Sequence, residues 1–326
     1  MLQYIVRRTL YAIPILLGVN LITFLLFFGL SSPEHMALQI LGEKSATDED
    51  IANWLAERGY DAPRLWNGEA AGMGKVTDTI FARKTLPLFW FDFGASDQAR
   101  RSITREISRR MGPSLMITTP MFFASVLVNV FFAMVVAFYR GTYLDTWGVV
   151  LCVAMMSVSL LFYIIGAQYV LGRMWRLYPI SGYDTGVHSL KFVVLPVVIG
   201  ILGSVGGGVR YYRTLFLEEI GRDYIRTARA KGLSEARVLF VHALKNAMIP
   251  ILTTVVMSIP FLFMGSLLLE NFFAIPGLGS YTIEAIQAQD FAIVRSMVFI
   301  GSVMYIVGLI LTDVSYTLVD PRVRLE

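Results

Sequence analysis

The sequence predicts an all-α integral membrane protein of six transmembrane helices, with one large loop between the first and the second. Three observations predict it. Hydrophobic residues fill 56% of the 326 positions and charged residues 16%, with a mean hydropathy of +0.61, whereas soluble domains are roughly 45–50% apolar and about 25% charged. The apolar residues gather into runs of the ~20 residues that a helix needs to cross a bilayer. Lys and Arg crowd into some connections and are missing from others, the asymmetry that orients membrane helices. The formal charge of +4 carries less information than that placement, and nucleic-acid binding is not indicated.

The first span is Leu10 to Leu30, after the anchor Arg7-Arg8. Its apolar run exceeds the 7–15 residues of a secretory signal core and no cleavage site follows, so it reads as retained. The remaining spans are Pro113 to Phe138, Trp147 to Leu171, Phe192 to Tyr212, Ala247 to Leu269 and Val294 to Leu318. Six crossings return the C-terminus to the side of the N-terminus. The 213–246 connection holds Arg213, Arg222, Arg226, Arg229, Lys231, Arg237 and Lys245, and Glu270 to Ile293 holds no Lys or Arg; the former is therefore expected in the cytoplasm, with both termini. Arg140, Arg322 and Arg324 agree. Arg100, Arg101, Arg105, Arg109 and Arg110 disagree, at the end of a loop beyond the ~60 residues over which the rule counts charge.

The chain thus divides into a first helix (1–31), a loop segment (32–112), a membrane core (113–318) containing the charged 213–246 segment, and a tail (319–326). The loop mixes acids, bases and aromatics. Thr47 followed by Asp48-Glu49-Asp50, then Ile51, Trp54 and Leu55, predicts a capped helix. In the charged segment, Ala228, Ala230 and Gly232 precede Ser234-Glu235, a pattern that reads as helix, tight turn, helix, with Gly232 ending one, Ser234 capping the next and Glu235 in its first turn; an ordinary connecting loop is an equal alternative at this point.

Several classes of chemistry lack their residues. Gly74-Lys75 is followed by Val76, and Glu69 stands where a phosphate loop needs its first glycine. His35, His188 and His242 are scattered, Cys152 is alone, and no catalytic set, metal site or cofactor site is read. Asp313 is the main acidic residue within a span, read as a boundary or packing residue. The run Gly203, Gly206, Gly207 and Gly208 permits close packing or bending. Asn129 and Gln168 are read as interhelical hydrogen-bond or packing residues before pathway-lining ones.

The wording RTARAKGLSEARV, then Ile249-Pro250 at the next span, resembles the "EAA" loop of ATP-binding-cassette importer permeases. Thr227 and Ala228 hold the two alanine places and Arg226 stands in place of the Glu. YIVRRTLYAIPILLGVNLITFLL, FWFDFGAS at 89–96, ENFFAIPGLGSYTIEAIQAQD at 270–290 and LVDPRVR at 318–324 are similar to stretches of the oligopeptide/dipeptide/nickel branch, first-subunit type. That branch usually has Tyr-Pro after the last Asp; Phe291-Ala292 stand in, which is expected to loosen the turn there.

The resemblance implies the type I importer fold in a bacterial cytoplasmic membrane. It further implies that Ala228, Arg229, Ala230, Lys231, Gly232, Leu233, Ser234, Glu235, Ala236 and Arg237 couple to ATPase subunits. The implied partners are a second homologous permease subunit, two ATP-binding subunits, an extracytoplasmic solute-binding protein, a peptide substrate and the lipid bilayer, with no cofactor. Nickel chelates or another small solute are alternative cargoes. An ion-coupled carrier would show internal repeats and buried ionisable residues, and a redox anchor would show intramembrane histidines. For the 32–112 segment two roles stay open, a surface for the binding protein and a structural cap.

Overall fold

The computed structural model describes residues 2–42, 46–184 and 186–319; the Asp-Pro-Arg stretch of the tail lies outside them. All named elements among the described residues are helical. In chain order they are α1 (Leu2–Leu30), α2 (Pro33–Leu41), α3 (Asp48–Arg58), α4 (Gly74–Thr77), α5 (Ile80–Thr85), α6 (Ile103–Phe138), α7 (Tyr143–Ser157), α8 (Leu160–Ala167), α9 (Leu190–Ile220), α10 (Asp223–Ala230), α11 (Glu235–Arg237), α12 (Leu244–Ser258), α13 (Leu267–Phe272), α14 (Leu278–Gln287) and α15 (Phe291–Val319).

Among the described residues, five stretches are long and apolar enough to cross a membrane: Val6–Gly29, Ile103–Phe138, Leu190–Ile220, Glu235–Phe272 and Phe291–Ser315. The third expected span is not one helix. Tyr143–Ser157 and Leu160–Met174 meet at an 86° bend, where Val158 and Ser159 turn extended and the Ser159 hydroxyl accepts from Leu161 N. Between Trp147 and Leu171 the apolar run is interrupted by Ser157, Ser159 and Gln168, too few to lower the mean over a span, so hydropathy alone could not see the break. The second span begins at Ile103, ten residues before Pro113, because an Arg110–Glu106 pair one turn apart (3.6 Å) supports a polar extension of the helix.

The chain forms two compact units. Of the described residues, one comprises those through Arg110 together with Tyr281–Val307; the other comprises Met111–Ser280 and residues 308–319. In the first, the segment after α1 packs on the last turns of that helix. Phe24, Phe28, Met36, Trp54, Tyr60, Ile80 and Phe291 form its buried core, with Trp54 and Tyr60 stacked at 5.9 Å. The predicted capping box is present: Thr47 Oγ accepts from Asp50 N at 3.2 Å and Asp50 Oδ2 accepts from Thr47 N at 3.0 Å. Two of the arginines that defied the charge rule are paired here, Arg100 with Glu57 and Arg110 with Glu284 at 3.1 Å.

In the second unit Gly203, Gly206 and Gly208 of α9 serve close packing, while Gly207 meets no neighbour. A methyl group on Gly206 would lie 2.6 Å from Cys152 O, and one on Gly208 2.2 Å from the Asn129 amide, while α9 runs unbroken for 31 residues. Asn129 donates to Ser204 Oγ at 3.2 Å, and Gln168 donates to the carbonyls of Ile180 and Phe272. Both therefore act as hydrogen-bond residues between elements.

Candidate functional site

α10 is an eight-residue amphipathic helix whose buried side carries Ile225 and Ala228. Those two pack with Val238, Leu239 and Ala243 of the following helical stretch, and Ile220 and Leu233 close the cluster. The turn between is a glycine-closed helix end. Gly232 has φ +76, Gly232 N donates to Arg229 O at 2.9 Å, and Leu233 N reaches Ala228 O at 3.4 Å. This double bond pattern satisfies two carbonyls that the helix end would orphan, with Leu233 supplying the apolar contact.

The predicted residues do not share one environment. Arg229, Ala230, Lys231, Gly232, Ser234, Glu235, Ala236 and Arg237 are exposed, Leu233 is half-buried, and Ala228 is buried at 5% exposure. The small side chain at 228 lets the two helices approach and is not itself a surface. Ser234 adopts the extended cap conformation but its hydroxyl makes no capping bond. Glu235 turns back across the loop: Arg229 Nε donates to its Oε1 at 2.8 Å and Nη2 to Oε2 at 3.1 Å. The second helix of the predicted pair is only the first turn of a longer one, since α11 passes through a π-helical stretch, Val238–Ala243, into α12. Tyr224, facing Glu219, has its hydroxyl pushed up to about 12 by burial and by that hydrogen bond.

Two acid constellations were not read from the sequence. Glu270 is fully buried, and its carboxylate accepts from Ser266 N and Ser280 N at 3.1 Å each. A methyl group on Gly265, Gly277 or Gly279 would lie 2.1, 2.2 or 2.9 Å from that carboxylate, so the Pro-Gly-x-Gly loop needs its glycines to wrap Glu270. The other constellation caps α15. Asp290 does not end the preceding helix, which stops at Gln287; its Oδ1 accepts from Ile293 N at 3.2 Å, and its Oδ2 accepts the Ser96 hydroxyl. Asp97 Oδ2 accepts from Ala292 N at 3.0 Å and from the Tyr60 hydroxyl at 2.8 Å. A proline at 292 would have no N–H, so the replacement that was expected to loosen this turn instead supplies a donor to Asp97. Burial, then the neighbouring Asp290, push the Asp97 carboxyl up. Burial, then Asp97, raise the Tyr60 hydroxyl well above its ordinary value. An Asp preceding an apolar helical run is an N-cap signal that would have marked position 290; nothing local marks Asp97.

Residues 129–325 match the family described as binding-protein-dependent transport system inner membrane component, and residues 1–118 match that system's N-terminal membrane component. The chain belongs to this family. As a permease subunit of an ATP-binding-cassette transporter it is non-catalytic, and ATP hydrolysis falls to separate subunits. Similar proteins include a putative peptide transport system permease of Brucella abortus strain 2308, 31% identical with all of both chains covered. The dipeptide transport system permease DppB of Escherichia coli K12 is 29% identical over 99% of each chain. A probable peptide ABC transporter permease of Sinorhizobium fredii is 30% identical over 98% of this chain and 99% of the relative.

Proposed function

We propose that this permease forms half of the translocation pathway of a peptide importer, with six crossings, both termini cytoplasmic and Arg229 to Arg237 docked on an ATPase subunit. The observation that carries the coupling role is the turn itself: a glycine-closed loop whose polar side chains are exposed over a small apolar core, directly continuous with a candidate membrane span. The names of the relatives support peptide as cargo. A second homologous permease, two ATP-binding subunits and an extracytoplasmic solute-binding protein complete the working unit. ATP-driven closure of the ATPases displaces the turn, and the attached span carries the displacement into a change of the side to which the cavity opens. The ATPases must supply the free-energy difference between those two states. The shared core of α1 and the 32–112 segment supports the capping role for that segment over a docking role.

Gly232 is the discriminating residue, because a side chain there meets no neighbouring atom and pays only for its left-handed backbone. Gly232→Val is expected to abolish peptide- and binding-protein-stimulated ATP hydrolysis and uptake in reconstituted transporter while the permease still inserts. Full stimulated activity in a fully inserted variant would overturn the coupling role.

A further inference from the structure

The apolar stretch Phe291–Ser315 of α15 contains a single basic residue, Arg295. A charge inside an apolar helix is costly and calls for a partner. Arg295 is 5% exposed, yet its Nε and Nη1 have no hydrogen-bond partner among the described residues. Its guanidinium lies over the Phe291 ring, 5.5 Å from the centroid. The carboxylates buried in the same unit are engaged by other donors. Asp290 accepts from the amides of Asp97, Gln98 and Ile293 and from the Ser96 hydroxyl, and Asp97 Oδ2 accepts from Ala292 N and the Tyr60 hydroxyl. Buried donors left unmet are rare in native proteins and point to a water or an ion at the site.

Arg295 borders a pocket of about 140 Å³, lined also by Lys84, Pro87, Asp92, Phe93 and Ala292. At ~30 Å³ per water, that is room for about four to five water molecules. Lys84 is half-buried, and its Nζ donates to the Arg58 carbonyl. An ammonium carries three donors, and the carbonyl takes one. Burial pushes the Lys84 ammonium down, a cost that a neighbouring anion offsets. The other two charges at the pocket are already matched: Arg83 pairs with Asp61 and Asp78, and Asp92 accepts from Gly94 N at 3.1 Å. The charge left to face the pocket is positive.

We infer that this pocket binds a small carboxylate, held by the Arg295 guanidinium and the Lys84 ammonium. Pro87, Phe93 and Ala292 supply an apolar wall that suits the short carbon stub of a carboxylate and offers nothing to chloride. The exposed Asp92 repels a dianion such as sulfate more than a monoanion. The same chemistry comes from a free carboxylic acid anion or from the C-terminus of a peptide. Neither source requires the coupling role given to the Gly232 turn, so the site stands or falls separately from it.

The test uses the full chain in lipid nanodiscs and saturation-transfer NMR on the methyl group of acetate. The wild-type chain should give a saturable acetate signal that propionate competes away and that chloride or sulfate at equal ionic strength leaves in place. Arg295→Gln should raise the half-saturating acetate concentration about tenfold or more, as loss of a hydrogen bond to a charged group does. Lys84→Gln, at a less buried position, should raise it about threefold, and it carries the comparison should Arg295→Gln fail to fold. Competition by dialanine and not by dialanine amide would support the site with a peptide C-terminus as its source; competition by propionate and by neither dipeptide would support it with free carboxylates. Absence of a saturable signal, unchanged half-saturation in the folded variants, or equal competition by chloride or by dialanine amide would overturn it.

Discussion

The connection that follows α1 and the connection that follows α9 look alike in sequence: both interrupt apolar spans with mixed charges and short capped helices. Their structures differ in where the charge goes. In the first, Trp54, Tyr60 and Ile80 build a core with α1, and Asp97 is drawn into it at 3% exposure. In the second, the core is five aliphatic side chains, and the Arg229–Glu235 pair stays about half exposed, at 42% and 48%. Aromatic residues separate the two. They bury enough area to offset the desolvation of a hydrogen-bonded carboxylate, whereas a small aliphatic cluster leaves its charges in water, free for a partner.

The comparison breaks most readily at the first connection. Replacing Glu43 to Lys84 by a flexible linker removes Trp54, Tyr60 and Ile80 together. It is expected to eliminate folded permease from the membrane, measured as monodisperse protein after extraction. Normal yield with lost binding-protein stimulation would restore the docking role for that segment. Trp54→Ala should cost about 3–5 kcal/mol, as large aromatic truncations in cores do, read as a lowered thermal midpoint of the extracted protein.

A pH series sharpens the same contrast. Because the folded state raises the Asp97 carboxyl, the folded state holds more protons than the unfolded one between the two values. Stability therefore falls as pH rises from the unfolded aspartate value, about 4, through the raised folded one. The Asp97→Asn variant should lack that decline, and an unchanged slope would show that the carboxyl titrates without consequence.

The smallest effect belongs to the second connection. Separate reversal of Arg229 or Glu235 should change stability by no more than about 1 kcal/mol, the usual value of an exposed pair, read as a small shift of the thermal midpoint. Stimulated ATP hydrolysis should fall in either single reversal and recover partly in the Arg229→Glu, Glu235→Arg double variant. No recovery would mean that each residue contacts the ATPase independently.

The turn at Gly232 was legible because its signals are local. Gly232 four residues after Ala228, with Leu233 behind it, encodes a helix end wherever it occurs, and the charge around it needs no tertiary partner to remain at the surface. The same holds for the Thr47–Asp50 cap. The pairing of Glu235 with Arg229 in place of the helix dipole was less legible, since an arginine six residues earlier meets it only after the turn has folded. The 86° bend between α7 and α8 escaped for another reason, because hydropathy measures polarity and a bend within an apolar run does not change it.

By itself the sequence determined the class of the protein, since apolar runs of bilayer length have few ways to satisfy their backbone other than as helices. It also determined the glycine-closed turn. Only the tertiary structure decided which acids are buried. Asp97 meets Asp290, and Glu270 meets the backbone beyond Gly277, through separations of 193 and ten residues. A carboxylate enters a core only when several donors converge on it, and that convergence is a property of how distant segments pack, which no stretch of the chain specifies alone.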